Sequence, residues 1–134
     1  MLLDQKAFDD EMFRYARQFA AADEIVIAAP YWDMSFPSLL KVYFEHVTVS
    51  GLTFAYGETG APVKLCKANT LRYFSTVGGF VKDQGHHGVS YIQALCAMYG
   101  IENFFEYHID GLDMYGTDKE KTLEEGIEKM LATL

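Results

Sequence analysis

The stretch Glu24-Ile25-Val26-Ile27-Ala28-Ala29-Pro30-Tyr31-Trp32-Asp33-Met34-Ser35-Phe36-Pro37 constrains this chain more than any other. Its apolar run is too short for a helix and rich in β-branched residues, which is the pattern of a buried parallel strand. Pro30 stops the strand. Pro37 suits a first helical turn, where a missing N–H costs nothing. Strand, loop and helix therefore follow in order, and Tyr31–Met34 fall on the loop. In open α/β sheets ligands bind beyond the carboxyl ends of strands. A loop carrying this much flat apolar surface suits a planar ligand, with a hydrophobic plug or an oligomer contact as the plain alternative.

The same alternation repeats along the chain. Lys6 to about Ala21 has apolar residues at helical spacing (Phe8, Met12, Tyr15, Ala16, Phe19) opposite a charged face. Pro37 to about Val47 reads as a helix apolar around much of its circumference. Leu52–Tyr56 and the turn cluster Gly57-Glu58-Thr59-Gly60 form an excursion outside the main sheet. Asn69–Ser75 is a second strand, and it delivers Thr76-Val77-Gly78-Gly79-Phe80 to a loop. The two glycines permit close approach of backbone to a ligand. A helix over about Val89–Tyr99 follows, with Gly100 as its stop. Phe104–Ile109 is a third strand and Gly111–Gly116 a loop. Thr117-Asp118-Lys119-Glu120 matches a capping box opening a last helix that buries Leu123, Ile127, Met130, Leu131 and Leu134. Helices alternating with strands imply an α/β fold with a parallel sheet, and 134 residues suit a single domain, 1–134.

Other chemistry is weakly supported. A net charge of −8 argues against a nucleic-acid partner. Met1–Asp10 has no basic and apolar leader pattern, and no run reaches the length of a membrane span, so the expectation is a cytoplasmic protein with no membrane partner. Cys66 and Cys96 lack metal-ligand spacing and read as buried free thiols. Asp83, His86 and His87 supply no evident third ligand at zinc spacing, so no metal is expected. His46 and His108 lie among apolar residues and read as core or interface histidines. Neither a dinucleotide fingerprint nor a P-loop is present.

Several segments together resemble the FMN-dependent NAD(P)H oxidoreductases with a flavodoxin-like fold, the azoreductase and quinone reductase family. They are Ala28-Ala29-Pro30-Tyr31-Trp32-Asp33-Met34-Ser35-Phe36-Pro37-Ser38 with Leu40-Lys41-Val42-Tyr43, then Ser50-Gly51-Leu52-Thr53-Phe54, Ser75-Thr76-Val77-Gly78-Gly79 and Asp110-Gly111-Leu112-Asp113. The resemblance implies a flavodoxin-like three-layer sandwich and a homodimer holding FMN. It assigns the ring to Pro30, Tyr31, Trp32, Asp33, Met34, Thr76, Val77, Gly78 and Gly79, and substrate contact to Phe80. It assigns no catalytic side chain, because hydride passes from NAD(P)H to the flavin, which then reduces a quinone or an azo compound.

The chain departs from the family pattern in three ways. It starts at what resembles the family's second helix, so the fold is expected to be truncated at the N-terminus, without the first strand and the phosphate-binding loop. Asp33 stands where asparagine is common, and a carboxylate there disfavours an anionic reduced ring. Val77 and Val81 stand where basic residues or histidine often lie. The alternative reading is a non-catalytic flavodoxin-like fragment that self-associates and holds no FMN. In the family's strand order the Glu24–Ala29 strand would pair with the missing first strand. Its open edge therefore predicts a homo-oligomer that covers it.

Overall fold

The computed structural model describes residues 8–134. The expected helix start at Lys6 and the reading of Met1–Asp4 lie outside them. A 3-10 turn, Glu11–Phe13, leads into α1 (Arg14–Ala21); then come β1 (Ile25–Ala28), α2 (Ser38–Val47), the strands β2 (Phe54–Tyr56) and β3 (Pro62–Lys64), β4 (Thr70–Thr76), the short α3 (Val81–Gln84), α4 (His87–Tyr99), β5 (Asn103–Ile109) and α5 (Lys119–Leu131). Strands β1, β4 and β5 form a parallel sheet in the order β1-β4-β5, with Ile25 opposite Leu71 and Thr70 opposite Asn103. The excursion is an antiparallel β2–β3 hairpin. Only the β2 arm was expected; β3 is entirely exposed and carries little burial signal.

Period-two alternation sorts the strands between two faces. Ile25, Ile27, Leu71 and Tyr73 point one way and are buried with Phe19 of α1, Phe44 and Val47 of α2, and Ile92, Cys96 and Tyr99 of α4. Gly100 ends α4 in the left-handed region at φ 74°, and a Cβ there would lie 2.9 Å from the Lys64 Cα. Glycine thus stops the helix and lets the hairpin pack against it. On the other face α5 packs on β5. Gly126 brings it down until an added Cβ would lie 2.7 Å from Ile109 Cγ1.

Four expectations need correction. The first helix is interrupted, because the Asp10 side chain accepts from the Met12 N–H and starts a new turn there; Met12 is left 68% exposed. The last helix is capped by Asp118, whose carboxylate accepts from the Lys121 N–H, while the Thr117 hydroxyl turns back to the Gly111 carbonyl. That helix buries none of its residues fully, since over β1 and β4 it stands above an open cleft. His46 is an exposed helix residue bonded to the Val42 carbonyl, not a core histidine. His108 is largely buried as expected, its side chain 13% exposed. Among the described residues no helix is long and apolar enough to cross a membrane, and no cluster of three metal-ligating side chains occurs.

Candidate functional site

The loop after β1 is shaped by a tight turn. Trp32 and Ser35 exchange backbone hydrogen bonds, each 2.9 Å, across Asp33 and Met34. Both central residues are left-handed, at φ 50° and 68°. Asp tolerates that region, but for Met it costs about 1–2 kcal/mol relative to glycine. The turn is held on its α4 side: the Tyr31 hydroxyl donates to the Gly85 carbonyl at 3.0 Å, and the His87 N–H donates to the Met34 carbonyl at 2.9 Å. Gly88 makes that docking possible, because a Cβ there would meet Phe36 Cδ1 at 2.4 Å. Trp32 stays 60% exposed.

The glycine loop after β4 is zipped to the loop after β5. Val77 N–H donates to the Ile109 carbonyl at 2.9 Å, Leu112 N–H to the Val77 carbonyl at 3.2 Å, and Asp113 N–H to the Gly78 carbonyl at 2.9 Å. These bonds prolong the β4–β5 ladder past its strands. The Asp113 carboxylate lies against Gly78, 2.4 Å from where a Cβ would stand. Gly79 is similarly packed by the Gln84 amide. The room beside Gly78 is therefore filled from within the chain rather than left for a ligand.

Between the two loops lies a cavity of about 290 Å³, lined by Pro30, Tyr31, Trp32, Thr76, Val77, Gly78, Leu112, Asp113, Lys119 and Leu123. It brings together six of the residues expected to hold a ring. Asp33, Met34 and Gly79 lie outside its wall. Phe80 turns away to pack on Gly111, where a Cβ would lie 2.9 Å from its ring, with the Lys82 ammonium over its face. Leu112, Asp113, Lys119 and Leu123 were missed. Asp113 and Lys119 are the two charged side chains of the wall, 2.6 Å apart. The cavity adjoins an apolar cleft of about 440 Å³ beneath α5 and shares Pro30, Thr76 and Leu123 with it.

The donors at this site suit a flat ring bearing carbonyl and ring-nitrogen acceptors. Among the described residues, the N–H groups of Asp33, Met34, Gly78 and Gly79 donate to no acceptor. Among the described residues, Lys119 is the one cation lining either cavity. On the opposite side of the sheet, burial beside His108 holds the His86 imidazole well below its ordinary value, at about 4, with its Nε2 3.1 Å from the Tyr73 hydroxyl. Burial raises the thiols of Cys66 to about 11 and of Cys96 to about 12, so neither is a reactive thiolate.

A family model described as flavodoxin-like fold matches residues 2–134. An FMN-dependent NADH:quinone oxidoreductase of Clostridium perfringens (strain ATCC 13124) is 36% identical over 129 residues, covering 96% of this chain and 65% of the relative. An FMN-dependent NADH:quinone oxidoreductase 2 of Clostridium acetobutylicum is 38% identical over 125 residues, covering 90% and 62%. An FMN-dependent NADH-azoreductase from Bacillus anthracis, solved in complex with FMN, superposes with a TM-score of 0.76 at 24% identity, over 93% of this chain and 60% of that one. This last likeness is one of fold. The chain spans about 65% of the length of the first curated relatives it matches.

Proposed function

The chain belongs to the flavodoxin-like fold family, and from that premise we propose that it is the ring-binding part of an FMN-dependent NADH:quinone oxidoreductase. The observation that carries this reading is the convergence of the β1 and β4 loops on one cavity, whose wall includes Gly78, a residue with an unpaired backbone N–H among the described residues. The relatives' names support FMN, NADH and a quinone; an azo compound is the other acceptor in keeping with the fold neighbours.

Bound FMN supplies hydride acceptance and onward transfer of electrons. The chain's own residues bind and orient. Pro30 and Trp32 offer apolar surface to a ring face. The Gly78 and Gly79 N–H groups, with those of Asp33 and Met34, offer hydrogen bonds to acceptors along the ring edge. The left-handed turn at Asp33–Met34 holds its donors fixed before any ligand arrives, which lowers the ordering cost of binding. Residues 1–134 act as one domain in this reading, in the cytoplasm, as part of a homo-oligomer.

The test is the cofactor content of the purified chain. FMN that co-purifies and is bleached by NADH, then recovers with a quinone, supports the reading. A chain that takes up no FMN at any concentration overturns it in favour of a non-catalytic, self-associating flavodoxin-like fragment. One observation favours that second reading: among the described residues β1 is an unpaired edge, and Ile25–Ala28 carries neither a charge nor a proline. Light scattering at low concentration tests self-association separately, and a stable monomer would show that the edge is tolerated.

A further inference from the structure

Lys119 begins α5 and points its ammonium at Asp113 Oδ1, 2.6 Å away. Asp113 is fixed by its own N–H to the Gly78 carbonyl, and its other carboxylate oxygen lies against Gly78. The pair therefore stands at the point where the glycine loop borders the cavity, and both side chains line that cavity. Their side chains are 63% and 70% exposed. An ion pair so exposed holds weakly, so Lys119 can change partner at little cost.

The charge balance gives that exchange a direction. The chain carries a net −8, and the site contributes Asp113 in its wall and Asp33 at the tip of the neighbouring turn. A ring that accepts a hydride gains one negative charge unless a proton follows. NADH gives up the hydride and leaves as NAD⁺, so the electrons balance within that pair. Among the described residues that line the two cavities, Lys119 is the cation placed to meet the added charge.

Resting on the FMN reading above, we propose that Lys119 is a tuning residue for the reduced ring: it leaves Asp113 for the ring's negative edge on reduction and so raises the preference for reduced over oxidised FMN. Asp113 opposes it, holding the ammonium back while the ring is oxidised.

The experiment compares the wild-type chain with Lys119→Gln, Lys119→Arg and Asp113→Asn. Titration with oxidised FMN gives its affinity, and anaerobic equilibration with a reference dye gives the two-electron potential of the bound ring. Lys119→Gln is read by the ratio of its affinities for reduced and oxidised FMN, not by either affinity alone. Its preference for reduced FMN falls about tenfold, which lowers the potential by about 30 mV for a two-electron couple. Lys119→Arg keeps the wild-type potential, and Asp113→Asn raises it. Equal potentials in all four proteins overturn the proposal, as do shifts of the same sign in Lys119→Gln and Asp113→Asn. A wild-type chain that takes up no FMN is a different failure, because it removes the functional reading and this assignment falls with it.

Discussion

The two faces of the β1-β4-β5 sheet are built to different standards. On the α4 face Leu71, Tyr73, Ile92 and Tyr99 are wholly buried. On the α5 face Val26 is 60% exposed, Phe105 44% and Ile127 49%, and an apolar cleft runs between strand and helix. Parallel strands ordinarily have both faces covered. Here the closed face carries the stability of the fold, while the open face and the carboxyl edge beside it hold the two adjoining cavities.

Four changes would break or sharpen that contrast. Ile92→Ala, on the closed face, should have the largest effect, lowering stability by about 3 kcal/mol in a denaturant titration. A loss as small as that of a surface residue would mean the α4 face is not the core. Gly126→Val should cost about 2 kcal/mol, because its side chain drives α5 off Ile109. It should also widen the cleft, so binding of an apolar dye ought to rise; an unchanged melting temperature would show that α5 rides freely on β5.

The third change is pH. The folded-state value of His86 is about 4, below the ordinary 6.5, so the unfolded chain takes up the proton first as pH falls. Stability from this group is complete above pH 6.5 and is lost as pH falls through that window towards 4. The loss is on the order of 1 kcal/mol once solvent screening is allowed for. His86→Gln should flatten the slope between those values, and a parallel slope in both proteins would assign it elsewhere. The smallest effect belongs to Met34→Gly, which relieves the left-handed backbone at φ 68° and should gain up to about 1 kcal/mol. If the turn's fixed shape serves the ligand, FMN affinity should fall in the same variant while stability rises.

The closed face was legible in the sequence, because its strands are short apolar runs and the α4 stripe Ile92, Leu95, Cys96 and Tyr99 is helical in period. The α5 stripe is also helical in period, but a stripe records only what could be buried, and Ile127, Leu131 and Leu134 are exposed. Whether Leu131 finds a partner depends on how far α5 stands from β1, which no local pattern encodes. The site divides in the same way. Tyr31, Trp32, Thr76, Val77 and Gly78 meet at one cavity because each of their loops follows a parallel strand. Asp113 and Lys119 were missed because the rule was applied to two strands and not to the third. Their approach to Gly78 comes from the Val77–Leu112 and Gly78–Asp113 backbone bonds, contacts between residues some 35 positions apart that only the β4–β5 register creates. Phe80 lies outside the cavity wall because a glycine at position 111 gives its ring somewhere to go.

Trp32 is the only tryptophan of the chain, and it sits in the cavity wall with most of its ring in water. Its fluorescence therefore comes from a single, known address. Emission should begin at the long wavelength of a hydrated indole, and a ligand that covers the ring should shift it to shorter wavelength. A ligand that absorbs where indole emits should quench it by energy transfer at this short range. Occupancy of the site can then be followed in the unlabelled protein, in real time, with excitation at the red edge of the indole band, where the nine tyrosines do not absorb.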